Sequence, residues 1–184
     1  RGCVKAWKSS GRTLSYGQML GEAKAAPAFK CIVDPDDPLF LNPTDMLAAI
    51  DVFCRRTLQP PPETIGEYVR CVFESLALKY RFIVEKVNAM IDAPIEVLHI
   101  VGGGSRNEVL NQWSSNAIGL PVVAGPAEAA AVGNILVQAI AKRELDGIED
   151  GRRIVARSFP LGTYTPREHE AWNDAFEKRR SLFK

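Results

Sequence analysis

The stretch LHIVGGGSRNEVLNQW, Leu98 to Trp113, constrains this chain more than any other. Residues suited to a buried strand run straight into Gly102, Gly103 and Gly104. Ser105-Arg-Asn-Glu108 then has the spelling of a capping box, which predicts a helix opening there. Val109, Leu110, Trp113, Ala117 and Ile118 share one face of that helix, and Gly119 stands where a left-handed residue ends it. Pro121 to Ala124 reads as a second strand. Strand, helix, strand at this spacing predicts an α/β unit with a short parallel pair, Ile95–Val101 and Pro121–Ala124, joined by a right-handed crossover.

A strand that ends in glycines and feeds a capped helix suits a phosphate. Glycine lets the backbone approach a ligand with no side chain between, and the helix N-terminus offers free N–H groups and partial positive charge. The same spelling suits a tight turn that binds nothing, and the glycines alone do not choose. Two common phosphate motifs are excluded. No Gly-Lys pair occurs, so there is no Walker A loop. Gly102 and Gly104 fill two places of a dinucleotide fingerprint, but Asn107 stands where the third glycine allows close helix packing. Glu128 is better suited to starting its own helix than to holding a ribose.

Composition narrows the rest. Lys plus Arg is 23 against 22 for Asp plus Glu, a net charge of +1, which gives no bulk attraction to nucleic acid or acidic lipid. Lys178-Arg179-Arg180 reads as a solvated helix end. Cys3, Cys31, Cys54 and Cys71 form no Cys-x-x-Cys pair, so buried thiols in a reducing, cytoplasmic setting are expected. His99 and His169 have no ligand partners at metal spacing. A calcium loop at Asp34, Asp36 and Asp37 is spoiled by Pro35 and Pro38. No apolar run is long enough to span a membrane and no signal peptide is legible. RGCVKAW, which opens on Arg1, reads like the interior of a helix, so a piece of a longer protein is expected.

Before the glycines the chain reads as mainly helical over 1–94. Ser15-x-x-Gln18 caps a short helix with Met19, Leu20 and Ala23 inward, closed by Pro27. FKCIVDPDDPLFLNP reads as a stiff surface loop with one extended piece. Asn42-Pro43 predicts a helix to about Leu58, with Leu47, Ile50, Phe53 and Cys54 inward. The longest helix is expected over Glu63–Ile91, about 40 Å at 1.5 Å per residue. Its apolar positions, Ile65, Val69, Val72, Phe73, Leu76, Tyr80, Ile83, Val84, Val87 and Met90, predict one core stripe. After the second strand, helices are expected over Glu128–Lys142, with Gly133 open to a close neighbour, and over Arg152–Arg157. A last helix is expected to open with a capping box at Thr165-Pro166-Arg-Glu168, carrying Trp172 and Phe176 inward.

Gly-Gly-Gly-Ser-x-Asn after a buried strand resembles the adenosine motif of the FGGY family of sugar kinases, in the actin-like ATPase superfamily. Leu98 to Ala141 is similar to the rhamnulose kinases in particular, with GPAEAAAVGN and DPDDPLFLNP belonging to the same pattern; PLGTYTPRE is less specific. The resemblance covers nearly all of the chain. It implies a helix-rich part of an actin-like, ribonuclease H-like lobe. It makes 1–184 a partial C-terminal, adenine-side lobe, with 95–184 as its glycine-loop part. It implies ATP and a ketose as substrates, with Mg²⁺ on the phosphates and an Asp general base taking the hydroxyl proton. By position, Gly102, Gly103, Gly104 and Asn107 would form the floor under adenosine and the α-phosphate. Ser105 would cap the helix or bind ligand. The family's Asp-x-Gly-Ser/Thr hairpin is absent here, so no catalytic residue is assigned. The piece alone is expected to be inert and to leave apolar surface open to self-association. The alternative is a non-catalytic module that keeps the fold and binds a partner.

Overall fold

The computed structural model describes residues 2–9 and 11–184. The helix read in RGCVKAW is found as α1 (Gly2–Ser9); Arg1 itself lies outside the described residues. The helix α2 (Tyr16–Ala25) starts on the expected box: Ser15 Oγ accepts from Gln18 N–H and the Gln18 side chain accepts from Ser15 N–H. Helix α3 (Met46–Arg56) starts later than Asn42-Pro43 suggests. Its cap is Asp45, whose carboxylate takes the N–H groups of Leu47 and Ala48. Helix α4 (Ile65–Asn88) is the longest, capped by Thr64.

The face that α4 buries is not the expected apolar stripe. Val84 is buried, but Ile83 and Met90 are exposed and the rest of the stripe is only half-buried. The fully covered face carries Cys71, Ala77, Leu78 and Phe82, interleaved with Glu74, Ser75 and Lys79. Each polar group there has a partner. Glu74 accepts from Phe29 N–H at 2.9 Å and from Arg70 Nε at 2.7 Å. Ser75 Oγ accepts from Val33 N–H and donates to the Cys71 carbonyl. Lys79 Nζ lies 2.8 Å from Asp34 Oδ1 and 3.0 Å from Asp36 Oδ2. Periodicity counts apolar residues, so it missed a face made habitable by pairing. Burial pushes the Glu74 carboxyl up to about 7, against the pull of Arg70 and of Phe29 N–H.

The same polar face overturns the surface-loop reading of FKCIVD. Cys31, Ile32, Val33 and Asp34 are buried. The segment pairs with side chains where a strand would pair with a neighbour. Gln59 accepts from Ile32 N–H at 2.9 Å and donates back to the Ile32 carbonyl at 2.8 Å. Cys31, Cys54 and Cys71 are buried and unbridged, as expected of plain thiols. Hydrogen bonding to Cys31 and burial push the Cys54 thiol well above its usual range, which keeps it neutral.

The second half builds one small sheet. Strand β1 (Leu98–Ile100) pairs in parallel with β2 (Val122–Ala124), Leu98 opposite Val122, as expected, though β1 is shorter at both ends and β2 starts one residue later. β1 is half-buried, with His99 exposed. A third strand, β3 (Gly162–Tyr164), pairs antiparallel with β2, so the sheet is mixed, in the order β1-β2-β3. The crossover from β1 to β2 carries α5 (Glu108–Ile118), ended by Gly119 at φ +71°. Ile32, Ala77, Leu78 and Phe82 share one core with Ala117, Trp172, Phe176 and Phe183, so the two halves of the chain are packed together.

Helix α6 (Ala129–Ala141) follows β2, and α7 (Ile148–Ser158) is longer than expected. α7 meets α6 where Gly151 faces Leu136. Among the described residues nothing lies within 4 Å of a Cβ built at Gly133 and no backbone packs there; Ile135 and Val137 are 66% and 65% exposed. Helix α8 (His169–Arg179) begins after Glu168, which sits at φ +54° with no side-chain cap, so the expected Thr165 box does not form. Trp172 and Phe176 do point inward, at 3% and 0% exposed. No helix among the described residues is long and apolar enough to cross a membrane.

Candidate functional site

Gly102 to Arg106 form a tight 3-10 turn between β1 and α5. The turn can start because Gly102 adopts φ +74°, a backbone conformation costly for residues with a side chain. Its start is anchored. Gly102 N–H donates to the Pro126 carbonyl at 3.0 Å, and Gly125 N–H donates to the Ile100 carbonyl at 2.9 Å. The loop is thereby tied to the segment that leaves β2. Past this anchor Gly103 and Gly104 are exposed, and among the described residues nothing lies within 4 Å of a Cβ built at Gly103.

The cap of α5 is Asn107. Its Oδ1 accepts from Leu110 N–H at 3.1 Å, while its own N–H donates to the Gly104 carbonyl. The expected Ser105–Glu108 capping box does not form. The 3-10 turn carries Ser105 one turn too early, and its hydroxyl donates to the Gly102 carbonyl at 2.7 Å. The short polar Asn side chain at the turn-to-helix junction is the sequence signal for this. Asn111, fully buried on α5, completes the frame: Nδ2 donates to the Ser105 carbonyl at 2.9 Å, while Oδ1 is buried without a partner. The N-terminus of α5, a helix of 11 residues, thus brings its partial positive charge to an exposed glycine turn.

A cavity of about 370 Å³ opens beside this turn, within the range of small-molecule sites. Of the five residues expected at the site, Ser105 lines it; Gly102, Gly103, Gly104 and Asn107 build the turn next to it. Arg106 and Glu128 also line it and approach each other to 3.5 Å as an exposed ion pair, which contributes little to stability. The far wall is Phe159, Pro160, Gly162 and Tyr164. Pro160, Gly162 and Tyr164 belong to PLGTYTPRE, the less specific part of the resemblance, for which no site role was expected, and Phe159 was not singled out. Within that run the signal is a glycine two before an aromatic, and β3 is too short for alternation to show. Among the described residues, no group of three or more His, Cys, Asp or Glu side chains is arranged to hold a metal ion.

Residues 1–142 match the FGGY family of carbohydrate kinases, C-terminal domain. The chain is similar to the rhamnulokinase of Bacteroides thetaiotaomicron, 49% identical over 162 residues, covering 88% of this chain and 33% of that protein. It is also similar to the rhamnulokinase of Bacillus subtilis, 40% identical over 154 residues, covering 84% of this chain and 32% of that protein. Among solved structures, the xylulose kinase of Rhodospirillum rubrum superposes with a TM-score of 0.63 at 23% identity, over 91% of this chain and 33% of that one. A xylulose kinase from Lactobacillus acidophilus gives 0.62 at 14% identity, over 97% of this chain and 38% of that one. The chain therefore spans about a third of the length of the curated relatives it matches.

Proposed function

The chain belongs to the FGGY family of carbohydrate kinases, and from that premise we propose that it is the nucleotide-side lobe of an ATP-dependent kinase acting on a ketose, L-rhamnulose. The reading rests on one observation above all. In a chain of this family, an exposed glycine turn is held open at the N-terminus of α5, beside a cavity of about 370 Å³. The sugar is inferred from the named relatives, which are 40 to 49% identical over most of this chain.

In this reading the turn from Gly102 to Arg106 and the first N–H groups of α5 face the phosphate nearest the ribose. They are already aimed, because Asn107 and Asn111 hold the backbone before any ligand arrives. Positioning of this kind is most of what a protein contributes to phosphoryl transfer. No carboxylate of this chain is assigned as the base that takes the sugar hydroxyl's proton. The Mg²⁺ implied for such kinases finds no cluster of ligands among the described residues, so no step is assigned to it here.

The test is sugar-dependent release of ADP. The complete gene product should turn over with ATP and L-rhamnulose, and Asn107→Ala should lower kcat/KM. The chain by itself should give none. Turnover by the complete product with a different sugar and none with L-rhamnulose would overturn the substrate; unchanged kcat/KM in the variant would remove this turn from the site.

A further inference from the structure

The cavity beside the glycine turn has two unlike walls. One is the turn and the start of α5, contributed by Ser105, Arg106 and Glu108. The other comes from the end of α7 and from β3, which lie past residue 142, where the family match stops. That second wall is apolar and aromatic. Phe159 follows α7 directly, and Gly162 and Tyr164 stand two apart on β3, on one face of the strand. The Tyr164 ring lies back over Gly162: a Cβ there would come within 3.2 Å of Tyr164 Cε2. Glycine at 162 therefore lets the ring lie along the strand. The strand itself is fixed, since Ser115 Oγ on α5 donates to the Tyr164 carbonyl at 3.0 Å. The aromatic wall and the glycine turn are thus held by the same helix.

We propose that Phe159 and Tyr164 form the wall on which the nucleobase lies, so that segment 159–164 completes the nucleotide site. This rests on the nucleotide reading of the glycine turn and says where the rest of that ligand goes. The phosphate end needs N–H donors, which the turn and α5 supply. The base end needs an apolar face, and every nucleobase offers a π-face to an aromatic side chain. Both kinds of surface meet in one cavity here, and Ser105 and Tyr164 both line it.

Photolabelling with 2-azido-ATP tests this on the unmodified chain, because covalent capture does not require tight binding. Trypsin separates three peptides: 87–106 with the turn, 107–142 with the start of α5 and the loop after β2, and 158–167 with Phe159 and Tyr164. The expected result is label on 158–167 that excess ATP suppresses and L-rhamnulose does not. ATP-suppressible label confined to 87–106 or 107–142 would overturn the wall and leave the nucleotide reading standing. Suppression by L-rhamnulose alone would give the cavity to the sugar and overturn the wall. No ATP-suppressible label anywhere would overturn both. Tyr164→Leu adds a quantitative arm: with its melting curve unchanged, ATP affinity should drop at least about fivefold, the lower end of what a stacked base loses. An unchanged affinity in a folded Tyr164→Leu chain would overturn the wall.

Discussion

Two short backbone stretches, residues 29–34 and residues 102–107, are held in opposite ways. The first is buried, and side chains from α4 and from Gln59 take up its peptide groups one after another. Even its carboxylate is used, with Asp34 accepting from Lys79 Nζ and from Lys184 N–H. The second is held at Gly102, Ser105 and Asn107, while Gly103 and Gly104 stand exposed. A buried peptide group without a partner costs as much as a lost hydrogen bond, so the first stretch must be closed for the fold to exist. The second is shaped without being covered. That difference separates a stretch closed for stability from one left open, where we propose the ligand lies.

The comparison can be broken at several points. The largest effect belongs to the closed stretch. Lys79→Met leaves Asp34 buried with its cation gone, and should cost about 3 kcal/mol or more in urea denaturation. Nucleotide binding per folded molecule should not change. Within the second half, two glycines should part company. Gly119→Ala meets both a left-handed backbone and the His169 ring, with Cε1 2.8 Å from the new Cβ, and should lose roughly 2 kcal/mol. Gly103→Ala meets open space and should melt within about 0.5 kcal/mol of wild type while weakening ATP binding. Asn107→Ala removes the cap of α5 at a cost of about 1 kcal/mol.

The last effect is a slope. Glu74 has its folded pKa raised to about 7 from the usual glutamate range near 4.5. Its neutral form is favoured in the fold, so its contribution is full below about pH 4.5 and is lost as pH rises through about 7. Stability measured in that window should decline with pH, and Glu74→Gln should flatten the decline. A slope unchanged in the variant would assign it to other groups.

Local chemistry made much of this legible. The Ser15–Gln18 box, the stop at Gly119, the parallel pairing of β1 with β2 and the inward Trp172 and Phe176 all follow from rules that act within a few residues. What escaped depends on partners far along the chain. The buried face of α4 cannot be seen without knowing that Phe29 N–H meets Glu74 or that Asp34 meets Lys79, each 45 positions away. The candidate site divides the same way. The glycine turn after β1 is legible in the sequence, whereas Phe159 and Tyr164 join the cavity only because β3 returns to pair with β2. The Ser105 cap failed on a smaller scale, since a 3-10 turn shifted the helix start by two residues.

The central claim is that the turn from Gly102 to Arg106 is the nucleotide-facing surface of this chain. It is tested most directly by following backbone amide resonances of the ¹⁵N-labelled chain as ATP is added. The account predicts that the amides of residues 102–108 move most and saturably, while those of 29–34 stay still. Saturable binding with the largest shifts elsewhere, and the amides of 102–108 unmoved, would contradict it.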